Sequence, residues 1–210
     1  MKRTISLLSA LLICFSVIFS MTACDSDPMT GDSPITTMKP KHPIEQFTTK
    51  MRDADSAQMT MTMYDLPFFG TITMVLRHDG NIEYTSGSLI SEESYTETIN
   101  GKEYKYSKTE DGKWVKTLIE SDESDNENDD SDFTKLLENP ENFEAVEGKA
   151  NTYKQKSDVV FDEVDDVTIT IEEDSCTIEM MMISEDLTCR CVVIISHIGE
   201  IELTLPEITE

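Results

Sequence analysis

The chain has 210 residues, with 17 Lys+Arg against 42 Asp+Glu and a formal net charge of -25. That length fits one domain with appendages, and so negative a charge excludes binding of nucleic acid or anionic lipid headgroups through general electrostatics. Five cysteines are too few to build a disulfide scaffold of this size.

Lys2 and Arg3 precede an apolar run from Ile5 to Phe19. The run is too short and too N-terminal for a typical spanning helix and has the form of a signal peptide. Met21-Thr22-Ala23-Cys24 follows directly. It looks like a bacterial lipobox, in which small residues precede a Cys that becomes the new N-terminus. The implied product has lost residues 1–23 and carries a diacylglycerol in thioether linkage on Cys24. Each buried CH₂ contributes about 0.8 kcal/mol, so two chains anchor stably where one is marginal. Losing Lys2 and Arg3 takes the net charge from -25 to -27. The expected address is the extracytoplasmic face of the cell membrane.

Residues 24–43 read as the lipidated Cys and a tether, holding four of the seven prolines among Ser, Thr and Asp. The domain then runs over 44–210. A helix starts near Pro43, with Ile44, Phe47, Met51 and Ala54 as its buried stripe. The period next changes to two. Met59, Met61 and Met63 alternate with Thr60 and Thr62, and after a loop over 65–70, Ile72, Met74 and Leu76 alternate with Thr71, Thr73 and Val75. Strands follow at 82–85, 94–99, 102–108 and 113–118, with turns carrying Gly after Asp or Asn at Asp79-Gly80, Asn100-Gly101 and Asp111-Gly112. The segment 120–132 holds eight acids in thirteen residues, a composition that favours a solvated loop. Ser131 or Asp132 caps a short helix with Phe133, Leu136 and Leu137. Short strands are expected at 143–147 and 152–155 and a turn or two of helix over 158–164. Further strands fall at 167–171, 176–183 and 187–195, and a last one at 200–205 before Pro206. The pattern gives an α+β fold, mostly antiparallel β, of about eleven strands with two or three short helices.

Thr98-Ile99-Asn100-Gly101-Lys102-Glu103-Tyr104-Lys105-Tyr106, followed by Asp111-Gly112-Lys113-Trp114-Val115-Lys116, resembles the corresponding segment of LolA-like and LppX/LprG-like bacterial lipoproteins. The likeness covers roughly residues 41–208 and is one of pattern and order. It implies a strongly curved half-barrel sheet, half-open, with the short helices on its concave side, and an apolar space between sheet and helices that accepts lipid or acyl chains.

In the hairpin 176–195, a two-residue loop at Glu185-Asp186 pairs Met182 with Cys189 and Met180 with Cys191. One face then carries Cys176, Ile178, Met180, Met182, Cys189, Cys191, Val193 and Ile195 and no charge. With Phe47, Met51, Met59, Met61, Met63, Ile72, Met74 and Leu76 it forms either an apolar cleft, suited by flexible Met to variable ligands, or an ordinary core. The Met and Cys sulfurs are also soft donors of the kind that select Cu(I), but strand spacing accounts for them without a metal. The acidic run lacks the Gly and Glu of a calcium loop, with Asp130 and Leu136 in their places. In this register Cys176 lies about 13 Å along the strand from Cys191, too far for a disulfide, so buried free thiols are expected. The three His fall in the tether and in turns, with no triad or zinc spacing. No enzyme activity, metal or cofactor is expected. The expected function is a membrane-anchored binding module holding a lipid or other apolar ligand. The alternative is a non-enzymatic surface or sensory lipoprotein that binds an envelope protein partner without a lipid cargo.

Overall fold

The computed structural model describes residues 41–88, 93–119, 136–161, 164–184 and 187–208. The signal segment, Cys24, the tether up to residue 40 and the acidic run 120–132 lie outside the described residues.

Helix α1 spans Pro43–Arg52. Pro43 sits in the first turn, where a missing N–H costs nothing, and His42 Nδ1 accepts from Ile44 N at 3.3 Å. Ile44 and Phe47 are buried on one side and Met51 is half-buried beside them. Asp53 caps the C-terminus, so Ala54 falls beyond the helix.

The strands are β1 (Ser56–Leu66), β2 (Gly70–Asp79), β3 (Ile82–Gly87), β4 (Ser94–Ile99), β5 (Lys102–Lys108), β6 (Trp114–Leu118), β7 (Phe143–Ala145), β8 (Thr152–Gln155), β9 (Val164–Ile171), β10 (Cys176–Ser184) and β11 (Leu187–Ser196). They make one open antiparallel sheet, in the order β6-β5-β4-β3-β2-β1-β11-β10-β9-β8-β7. Two meanders therefore meet at the centre, where the first strand pairs with the last. Local turn chemistry sets each hairpin. At Asn100 and Gly101 both φ angles are positive, 51° and 74°, the type I′ geometry whose twist matches the flanking strands. This is the mostly antiparallel sheet of eleven strands with few, short helices that the alternation predicted, in the open, curved form that the resemblance implied.

One face of β1, β2 and β7–β11 forms the core. Met59 lies between Ile195 and Leu76, Met61 between Val193 and Met74, and Met63 between Cys191 and Ile72. Val167, Ile169, Tyr153 and Phe143 continue this layer to the β7 edge. The apolar stripe of α1 lies over it, with the His42 ring 4.8 Å from that of Tyr153. Residues 136–138 are helical and bury Leu136 and Leu137 in the same layer, as the pattern predicted. Phe133 lies outside the described residues.

Three local expectations are corrected. No helix forms over the described residues 158–161, and Val160 is 87% exposed. Residues 159–161 are irregular, and Val164 already belongs to β9. Residues 200–205 form no strand. They cross the ends of β1 and β2, whose edges are already paired on both sides, so their N–H groups turn to side chains. Ile201 N donates to Ser56 Oγ (3.0 Å) and Leu203 N to Asp79 Oδ2 (2.7 Å). The loop predicted over 65–70 is shorter, because β1 runs through a bulge to Leu66.

Candidate functional site

The predicted cleft residues come together as one layer. The β10–β11 register pairs Met182 with Cys189, Met180 with Cys191 and Ile178 with Val193. Phe47, Met59, Met61, Met63, Ile72, Met74, Leu76, Ile178, Met180, Cys189, Cys191 and Val193 are each 7% exposed or less. Met51 and Met182 are half-buried at the margin. Those twelve belong to one continuous hydrophobic cluster with Ile44, Leu136 and Leu137, and Met51 and Met182 pack against it. Alternation alone produces this face, since every second residue of each strand is apolar.

Cys176, Cys189 and Cys191 are free thiols within it. Burial pushes Cys176 and Cys191 up to about 12, Cys191 with a further contribution from Cys189, and raises Cys189 as well. Neutral thiols of this kind are small hydrophobes without nucleophilic character. The folded mature protein is expected to leave all three unlabelled by an aromatic disulfide reagent at pH 8, and to release all three in denaturant. Fast labelling of folded protein would put this face in water.

Beyond β2 the apolar side changes. On β3–β6 the face continuous with the core carries Glu83, Thr85, Ser94, Thr96, Lys105, Ser107 and Thr117, with Val115 as an apolar member, while the opposite face carries the aromatics. Hairpin register lines up Arg77, Tyr84, Tyr95, Tyr106 and Lys116 across five strands. The Tyr84 and Tyr95 centroids are 5.0 Å apart, and Trp114 meets Tyr95 edge-on at 5.5 Å. Cations lie over the rings: Arg77 on Tyr84 (5.4 Å), Lys108 on Trp114 (5.0 Å), and Lys116 on Tyr104 (4.4 Å) and Tyr106 (4.9 Å). Tyr106 Oη donates to Glu97 Oε2 (2.6 Å), as does Lys116 Nζ (3.0 Å), and these bonds hold the Glu97 carboxyl below its usual range. Burial, then the bond to Glu97, raises the Tyr106 phenol. Lys108 Nζ donates to Glu93 at 2.6 Å. The rings and charges thus satisfy one another and stabilise a part of the sheet whose core-side face is polar. Sequence reading saw Tyr104, Tyr106 and Trp114 but missed Tyr84 and Tyr95. The two-residue Asn100-Gly101 turn already implied that Tyr95 faces Tyr106.

A further feature escaped the sequence reading. The β1–β2 hairpin ends in Pro67-Phe68-Phe69, and Phe69 N donates to Leu66 O (3.2 Å). Phe68 is fully exposed and Phe69 is 50% exposed. Phe68 has φ 74°, a left-handed conformation that costs a bulky residue roughly 1–2 kcal/mol. β1 pairs with β11 up to Tyr64 and Arg190, Ser184 with Leu187, and Met182 with Val164. The start of β9 and the end of β10 therefore lie toward the same end of the sheet as this tip. Ile183 (43%) is exposed there, as are Asp65 in β1 and Asp165 and Asp166 in β9. The signal available in the sequence was a Phe pair inside a turn, where burial is least expected.

A recess of about 350 Å³ lies elsewhere, on the solvent side of α1. Lys41, Glu45, Thr48, Thr49 and Arg52 line it with Leu137 and Glu138, a polar wall unlike an acyl site. Among the described residues, no group of three or more His, Cys, Asp or Glu is placed to hold a metal ion. No protein-family model matches the chain, and no curated protein matches it in sequence.

Proposed function

We propose that this protein is an extracytoplasmic lipoprotein, held to the cell membrane by a diacylglycerol on Cys24, whose domain binds an envelope protein partner without a lipid cargo and without catalysing a reaction. The signal segment and Met21-Thr22-Ala23-Cys24 support the anchor. One observation carries the choice between cargo and partner: twelve of the fourteen residues that would line an acyl cleft pack with α1 and Leu136–Leu137 into one cluster, and the other two pack against it. An acyl chain entering there would have to separate side chains that already bury one another. The Met content then serves as adaptable core filling.

Native mass spectrometry of the mature protein, extracted from membranes of the cell that makes it, tests both halves. The expected mass is that of the chain from Cys24 plus covalent lipid and nothing further, and Cys24→Ser moves the protein to the soluble fraction. A stoichiometric non-covalent lipid would make the domain a carrier. A chain lacking covalent lipid would remove the anchor.

A further inference from the structure

We infer that the Phe68–Phe69 hairpin tip is the element that docks the partner, and that the partner presents an apolar pocket able to take a phenyl ring and rimmed by Lys or Arg. This rests on the partner-binding reading above and adds the surface and its chemistry.

Two independent observations single out the tip. Phe68 is fully exposed at the end of the 11- and 10-residue strands β1 and β2, where folding gains nothing from an aromatic ring. Its backbone is left-handed, a conformation that Gly or Asn adopts far more readily than Phe. Local stability therefore disfavours Phe at this position, and the side chain it keeps is of the kind that anchors interfaces. Phe69, next to it in the tip, is half-exposed, and Ile183 is exposed at the end of β10 toward the same end of the sheet.

Charge selects the occupant. Asp65, three residues before Phe68 in the same hairpin, is exposed, as are Asp165 and Asp166 at the start of β9, and Arg190 is held by Glu179 at 2.6 Å. The whole chain carries -25. A second copy would bring the same acids against these, and an anionic bilayer would repel them, whereas a basic-rimmed pocket is complementary.

The test uses the full lipidated chain with Phe68→p-benzoylphenylalanine, photolysed in the cells that make it, with the crosslinked site mapped by mass spectrometry. The expected product joins position 68 to one other protein, at apolar residues flanked by Lys or Arg. With that protein purified, Phe68→Gly and Phe69→Ser each weaken binding by about thirtyfold or more, and affinity falls as salt is raised. Phe68→Gly leaves the thermal midpoint of the free protein unchanged or higher, which separates lost docking from lost folding. Crosslinks only to phospholipid, only to another copy of this chain, or to no discrete species would overturn the inference, as would undiminished binding by Phe68→Gly. A partner bound through another surface would defeat this inference alone. A stoichiometric cargo lipid in the native spectrum would defeat the reading beneath it.

Discussion

Val193→Asp is expected to abolish the cooperative unfolding transition, while Ile194→Asp, one residue further on, keeps it. Both residues lie in β11 and both are β-branched and apolar. Val193 is fully buried between Met61 and Ile178, and Ile194 is 40% exposed on the opposite face, beside Thr60 and Thr177. A carboxylate at 193 would have no partner in the Met/Cys layer. Burying an unpaired charge costs several kcal/mol even after relaxation, against a total stability of roughly 5–15 kcal/mol for a domain. At 194 the carboxylate reaches water, and the change should stay within about 1 kcal/mol. Urea titration followed by far-UV circular dichroism and Trp114 fluorescence distinguishes the two. Equal tolerance at both positions would mean that the central register is wrong, because a one-residue slip exchanges the faces of a strand.

Gly87→Ala should cost about 2–3 kcal/mol, an unusually large effect for adding a single methyl group. Gly87 lies opposite Met74 at the end of β3, on the core side. A Cβ built there would stand 2.6 Å from Thr73 O and 3.1 Å from Met74 Cα, with Met74 Cγ at 3.2 Å. Two of these are backbone atoms, so no rotamer change relieves the contact. Moving Thr73 O also disturbs its bond from Ser88 N (2.9 Å), at the place where the apolar face ends and the polar face of the β3–β6 part begins. Thr85→Ala, on the same face two residues earlier, should cost well under half as much. Denaturation midpoints of the two variants check this, and an Ala at 87 that is tolerated like that at 85 would show that β2 and β3 do not approach so closely.

The two faces of the sheet divide the work between them. Near α1, apolar alternation and a helical stripe make a conventional layered core. From β3 to β6, rings capped by Lys and Arg on the other face take over, and the polar core-side surface needs no apolar cover. The hairpin tip obeys neither scheme. Phe68 contributes to no core and holds a backbone conformation that its side chain disfavours, and the docking inference follows from that mismatch.

Much of this was legible in the residues themselves. Period-two alternation marked the strands from β1 to β11. The two-residue loop at 185–186 set the pairing of Met180 with Cys191, and Pro43 marked the start of α1. These are short-range constraints, carried by backbone sterics and by the alternation of side chains along a strand. The candidate site was only half legible: its Met and Cys members could be named, but core and cleft look alike in sequence, since both demand one apolar face per strand. Four things depended on contacts between distant parts of the chain. Whether that face is filled depended on α1 and Leu136–Leu137 closing over it. Whether 200–205 becomes a strand depended on the edges of β1 and β2 being already taken. The aromatic row depended on four hairpins being in register at once, and the exposure of Phe68 on nothing folding over the tip. The sequence by itself determined which residues alternate and where the chain turns; the tertiary structure alone decided which surfaces found a partner, because burial is a property of what packs opposite a residue and not of the residue or its neighbours.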